Sequence, residues 1–153
     1  MDEFWDPRVL DKVDEDIHSL AMFNYSYWLN FRSNEQWVGS LMSKVKNITV
    51  GYNKAYRTIK PNIIPDAGWH LSNMGGVEQI IKKLEAYDHA NDVLPMLSQF
   101  EGYGIKARMD AGYDFLGREF NYDGKPYEFW VEEDNLPQYL KDNKIKWKHL
   151  WKS

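Results

Sequence analysis

The sequence predicts an α/β or α+β layer fold of mixed short strands with flanking helices, in a single domain over residues 1–153. Three observations carry this. Rings alternate with polar side chains from Met22 to Leu29, and alternation returns from Tyr127 to Val131, which is the period of a strand. Between those segments Val77, Ile80, Ile81, Leu84 and Tyr87 recur at helical spacing, with Lys82, Lys83 and Glu85 on the other side. No repeat, low-complexity run or linker divides the 153 residues, a length that suits one domain.

Taken in order, Asp6 is a cap and Pro7 a first-turn residue for a helix carrying Val9, Val13 and Ile17, with Asp14 to Asp16 on its wet face. The ring-rich strand follows, with Phe23, Tyr25, Tyr27 and Leu29 on one face and Asn24, Ser26 and Trp28 on the other. Asn30 to Gln36 reads as a polar turn, and Trp37 opens a second apolar segment reaching about Val45. Ile48 to Tyr52 is a short strand, and Pro61 and Pro65 keep the connector from Arg57 to Pro65 out of helix. Pro65 to Gly76 then reads as a strand running into a glycine-opened helix, the one described by Val77 to Tyr87. Val93 to Phe100 reads as a further helical turn or two, broken by Gly102 and Gly104. Ile105 to Ala111 is a short helix closed by Gly112. Tyr113 to Arg118 is a loop, Asn121 to Gly124 a turn, Leu136-Pro137 the start of a last helix to about Asn143, and Lys144 to Trp151 an aromatic-basic tail.

Composition excludes several classes. A net charge of −4 with no basic stripe argues against nucleic acid as a partner. The absence of cysteine removes disulfides, thiolate metal sites and cysteine nucleophiles, and suits a reducing cytoplasm. No apolar run approaches the length of a membrane span, and the acidic start is unlike a signal peptide. These observations together predict a cytoplasmic location. The aromatic share of 16%, with seven Trp and ten Tyr, fits either a core of large rings or a platform for sugars or nucleotides.

Groups able to carry chemistry cluster at two places. Asp2 and Glu3 are adjacent carboxylates, the oxygen donors that Mg²⁺ or Mn²⁺ takes while leaving positions open for phosphate; a frayed, solvated end reads equally well. Asp66 and His70, four residues apart, would share one face of a strand. His70 is then a ligand, an acid/base group or a hydrogen-bonded core residue, and Asp66 a general base or a loop terminator. Gly75 and Gly76 open a helix whose free N–H groups would favour phosphate; tight packing is the plainer account. No phosphate-binding loop, nucleophile elbow or His-Glu-x-x-His motif is present.

Gly68-Trp69-His70-Leu71-Ser72, then Gly75-Gly76, Lys83-Leu84-Glu85 and His89, resemble glycosyltransferase family 17, the family of β-1,4-mannosyl-glycoprotein β-1,4-N-acetylglucosaminyltransferases and their bacterial and viral relatives. Asp2-Glu3-Phe4-Trp5-Asp6-Pro7 resembles the tail of that family's Asp-x-Asp-Glu motif, and Asn24, Tyr25 and Tyr27 with Trp37 resemble its aromatic strand. Gly112 to Arg118 and Leu136 to Leu140 resemble its C-terminal block. Two departures stand out: the first Asp of the motif has no counterpart, and Asn91 stands where relatives place an acid.

The resemblance implies the C-terminal portion of a GT-A type nucleotide-sugar transferase fold, lacking the N-terminal nucleotide-binding half. It implies an inverting, metal-dependent transfer of N-acetylglucosamine from a UDP-sugar donor to a glycan acceptor. A separate N-terminal half or a second copy would complete the site. Under that reading Asp2, Glu3 and His70 hold Mn²⁺ or Mg²⁺, and His70, Gly75 and Gly76 meet the diphosphate. Asp66 is the base, with Glu78 as the other candidate, and Tyr27, Trp37 and Trp69 stack on sugar rings. The base and the late ligand are chosen here on chemistry rather than on motif identity. A non-catalytic carbohydrate- or partner-binding module is the alternative.

Overall fold

A computed structural model describes residues 2–14, 16–45, 61–86 and 101–153, with backbone alone at 101–103. It shows a mixed α/β fold on a six-stranded mixed sheet. The strands are β1 (Glu3–Trp5), β2 (His18–Ser26), β3 (Phe31–Met42), β4 (Asn62–Ile64), β5 (Gly68–Ser72) and β6 (Phe129–Val131). Their order is β1-β5-β2-β3-β6, with β4 paired to β2 off that path. The helices are α1 (Val77–Glu85), α2 (Glu101–Ala111) and α3 (Gln138–Asp142). The chain forms two compact units, Met1–Phe23 with Gln36–His70, and Asn24–Glu35 with Leu71–Ser153.

In the first unit, Asp6 caps as expected, accepting from the Arg8 N–H at 2.9 Å, but the segment is a 3-10 helix, Pro7–Lys12, rather than a longer α-helix. Val13 is already extended, and Asp14 Oδ1 accepts from the Asp16 N–H, so a local side-chain bond and two β-branched residues compete with helix. Ile17 therefore leaves the helix, while Val13 packs with Trp37 and Met42 on a core of Val9, Leu20, Met22, Ile64 and Ala67. The connector contains β4, a short parallel strand against β2 with His18 opposite Asn62. β1 pairs antiparallel with β5, placing Glu3 opposite His70 and Trp5 opposite Gly68.

In the second unit, the ring-rich strand ends at Ser26, three residues before the Leu29 that its alternation reaches, because Tyr27 turns the chain at φ 71°. The polar run expected to be a turn is the start of β3. Alternate residues of it, Phe31, Ser33 and Glu35, are buried, and the polar ones are hydrogen-bonded: Glu35 accepts from Asn24 Nδ2 at 3.3 Å and from the Tyr127 hydroxyl at 3.1 Å, and Ser33 Oγ accepts from the Glu35 N–H at 3.0 Å. α1 matches its helical spacing and opens at Gly76, whose φ of 82° suits a residue without Cβ. Gly102 and Gly104 do not break the chain; α2 runs through both and closes at Gly112, φ 76°. Ile80, Ile105, Met109, Phe115, Phe31 and Tyr27 form the core of this unit. The segments expected as a strand over 48–52 and a helical turn over 93–100 lie outside the described residues, as do Tyr87, His89 and Asn91.

Candidate functional site

The chemistry-bearing residues of the first unit meet where β1 pairs with β5. Gly68 permits the pairing: a Cβ there would lie 2.1 Å from the Phe4 carbonyl oxygen. Two residues on, His70 is buried at 5% exposure, with Nε2 3.7 Å from Asp2 Oδ2. Trp37 of β3 reaches past β2 and lies flat on the imidazole, centroids 4.0 Å apart and planes within 10°. Its indole N–H donates to Glu3 Oε1 at 2.7 Å, and the Ser40 hydroxyl donates to Glu3 Oε2.

These positions decide what a divalent cation would find. Asp2 offers an oxygen at a partly open carboxylate and His70 a nitrogen beside it. That pair fits an ion that takes few protein ligands and fills the rest with phosphate oxygens and water. Both oxygens of Glu3 are engaged by Trp37 and Ser40, so the structure makes Glu3 a brace. Among the described residues no three of His, Asp or Glu converge as a complete metal cage.

Asp66 is not on β5. It sits in the preceding turn at φ 53°, exposed, so it does not share a strand face with His70 as its spacing suggests. Trp69 is on β5 next to His70, and its side chain takes the opposite face by the pleat.

The remaining candidates belong to the second unit. Gly75 and Gly76 line a cleft of about 370 Å³ with Trp28, Val77, Lys106 and His149. The N-cap of α1 is Gly76, which has no side chain to bond the first N–H groups. Tyr27 also borders this cleft but is a core ring, 2% exposed; its hydroxyl donates to the Tyr113 carbonyl at 3.1 Å and accepts from the Phe115 N–H at 3.0 Å. Burial pushes its phenol well above the usual range. Glu78 lies in the first turn of α1, exposed.

A larger cleft of about 630 Å³, lined by Arg108, Tyr113, Arg118, Glu119 and Tyr127 among others, has no counterpart in the sequence reading. Arg118 is fixed there by the buried Asp114, which accepts from Nη2 at 2.8 Å, and by the rings of Tyr122 and Tyr127 on its guanidinium. The hydrogen bond from Arg118 to Asp114 drives the guanidinium pKa further up. Sequence reasoning also missed Gly39 and Ser40. The available signal was Trp37-x-Gly39, a ring and a glycine two apart, hence on one strand face. No family model, curated protein or solved structure matches this chain.

Proposed function

We propose that the chain is the acceptor-side part of a metal-dependent, inverting nucleotide-sugar transferase of GT-A type. It would move N-acetylglucosamine from a UDP-sugar to a hydroxyl of a glycan acceptor. The observation that supports this reading is the 3.7 Å approach of His70 Nε2 to Asp2 Oδ2. The resemblance makes Asp2 a metal ligand, and His70, far from it in sequence, is chosen as the late ligand on its chemistry.

The bound Mn²⁺ or Mg²⁺ supplies charge neutralisation of the diphosphate leaving group. Asp2 and His70 would hold that ion. The acceptor oxygen forms its bond to the anomeric carbon as the bond to the diphosphate oxygen breaks, and the hydroxyl proton passes to a carboxylate. Asp66, exposed in its turn, takes that proton, with Glu78 as the other candidate. Calorimetric titration with UDP tests the donor site: binding should require Mn²⁺ and disappear in Asp2→Ala. Absence of heat at millimolar UDP with Mn²⁺ present overturns it.

One observation favours a second reading, a carbohydrate-binding module without catalysis. The 630 Å³ cleft has the size of a ligand site and exposes the Tyr113 ring at 62%. Glycan binding without UDP or Mn²⁺, lost in Tyr113→Ala, would select this reading.

A further inference from the structure

The Trp37 indole face toward His70 is covered by the imidazole, so it is not an open platform for a sugar. Its surroundings suggest a different task. A histidine ring turns softly about its second side-chain torsion. A parallel indole at 4.0 Å allows one ring plane and its half-turn flip, and Asp2 beside Nε2 distinguishes those two.

The indole is itself held. Glu3 accepts its N–H at 2.7 Å, and Ser40 holds the other oxygen of Glu3. Gly39, two residues along the same strand, leaves the room it needs: a Cβ there would lie 2.4 Å from Trp37 Nε1 and 2.9 Å from Glu3 Oε1. The chain of contact is therefore Ser40 to Glu3 to Trp37 to His70 to Asp2.

We propose that Trp37 is a positioning residue, clamped by Glu3 and accommodated by Gly39, which fixes the His70 imidazole with Nε2 directed at Asp2. The orientation stands on the geometry alone; its use in binding a divalent cation rests on the donor-site reading. Glu3 thereby acts through Trp37.

The test compares the intact chain with Trp37→Leu, Trp37→Phe and Gly39→Ala. Proton NMR reads the His70 ring without metal: a stacked indole shifts its protons upfield, the shift should vanish in Trp37→Leu and shrink in Gly39→Ala, and Trp37→Phe should restore much of it. Electron paramagnetic resonance of free Mn²⁺ reads affinity, which should fall about tenfold or more in Trp37→Leu and Gly39→Ala, the range for losing a residue that orients a ligand. Wild-type His70 shifts in a folded Trp37→Leu overturn the inference, as does unchanged Mn²⁺ affinity in both variants. Should the wild-type chain bind no Mn²⁺, the donor-site reading fails and the His70 shifts alone decide the positioning role. Should Trp37→Leu not fold, Gly39→Ala and Trp37→Phe carry the comparison.

Discussion

Asp6 binds the N-terminal 3-10 helix through one carboxylate, which takes both the backbone and the guanidinium N–H groups of Arg8. The guanidinium bond, then the backbone bond, lower its pKa from 3.8 to about 2. A depressed carboxylate stabilises the fold fully above its unfolded value, and that contribution fades as pH falls through the folded one. Stability should therefore drop between about pH 4 and pH 2 by an amount that Asp6→Ala abolishes. At neutral pH the same substitution should cost about 1 kcal/mol, the usual loss for a cap, read by urea denaturation. This cap was legible because capping depends on near neighbours. Glu35 was not legible: its polarity reads as surface, yet it is 8% exposed and bonded to Asn24 and Tyr127 from elsewhere in the chain. Burial chiefly raises the Tyr127 phenol, and the carboxylate beside it adds to this, so the hydroxyl stays a donor to Glu35.

Among the elements, β5 depends most on one position. Gly68 has φ 148°, and its missing Cβ is where the Phe4 carbonyl of β1 lies. Gly68→Ala should destabilise by about 3 kcal/mol through strain and overpacking, measured by denaturant unfolding. It should also raise hydrogen exchange at Phe4 and Trp5, which an unrelated core lesion of equal cost would not do selectively. α1 was legible over Val77 to Glu85 because its apolar spacing and its glycine opening agree; its expected last member, Tyr87, lies outside the described residues. β3 was only half legible. Its second half carries the apolar signal, whereas its first half, Phe31 to Glu35, is polar because those side chains pair inside the fold.

At the scale of the whole chain, each unit has its own hydrophobic core, and the second is closed by the end of the sequence. Asn30, 2% exposed, donates to the Lys152 carbonyl at 3.0 Å and accepts from the Lys152 N–H at 2.8 Å. The Lys152 ammonium lies over Trp28 and Phe31 at 4.2 and 4.5 Å. Asn30→Ala breaks both backbone bonds, so stability should fall by about 2 kcal/mol and carboxypeptidase should trim the last residues faster. Unchanged trimming would show that the remaining contacts hold the segment, namely Lys152 on the two rings and on the Asp110 carbonyl, and the Leu29 N–H on the Leu150 carbonyl. Among the described residues, no helix is long and apolar enough to cross a membrane.

The sequence by itself determined the mixed α/β class, α1 with its glycine opening, the Asp6 cap and the Asn121 to Gly124 turn. Each of these follows from residues within a few positions of one another, where spacing and backbone preference act directly. Only the tertiary structure decided that Asp66 lies off β5, that Tyr27 is core, and that Trp37 covers His70 while Glu3 holds Trp37. Those outcomes depend on which strands pair and in what register. A residue's own neighbours cannot specify that, because one face of a sheet is assembled from segments far apart in the chain.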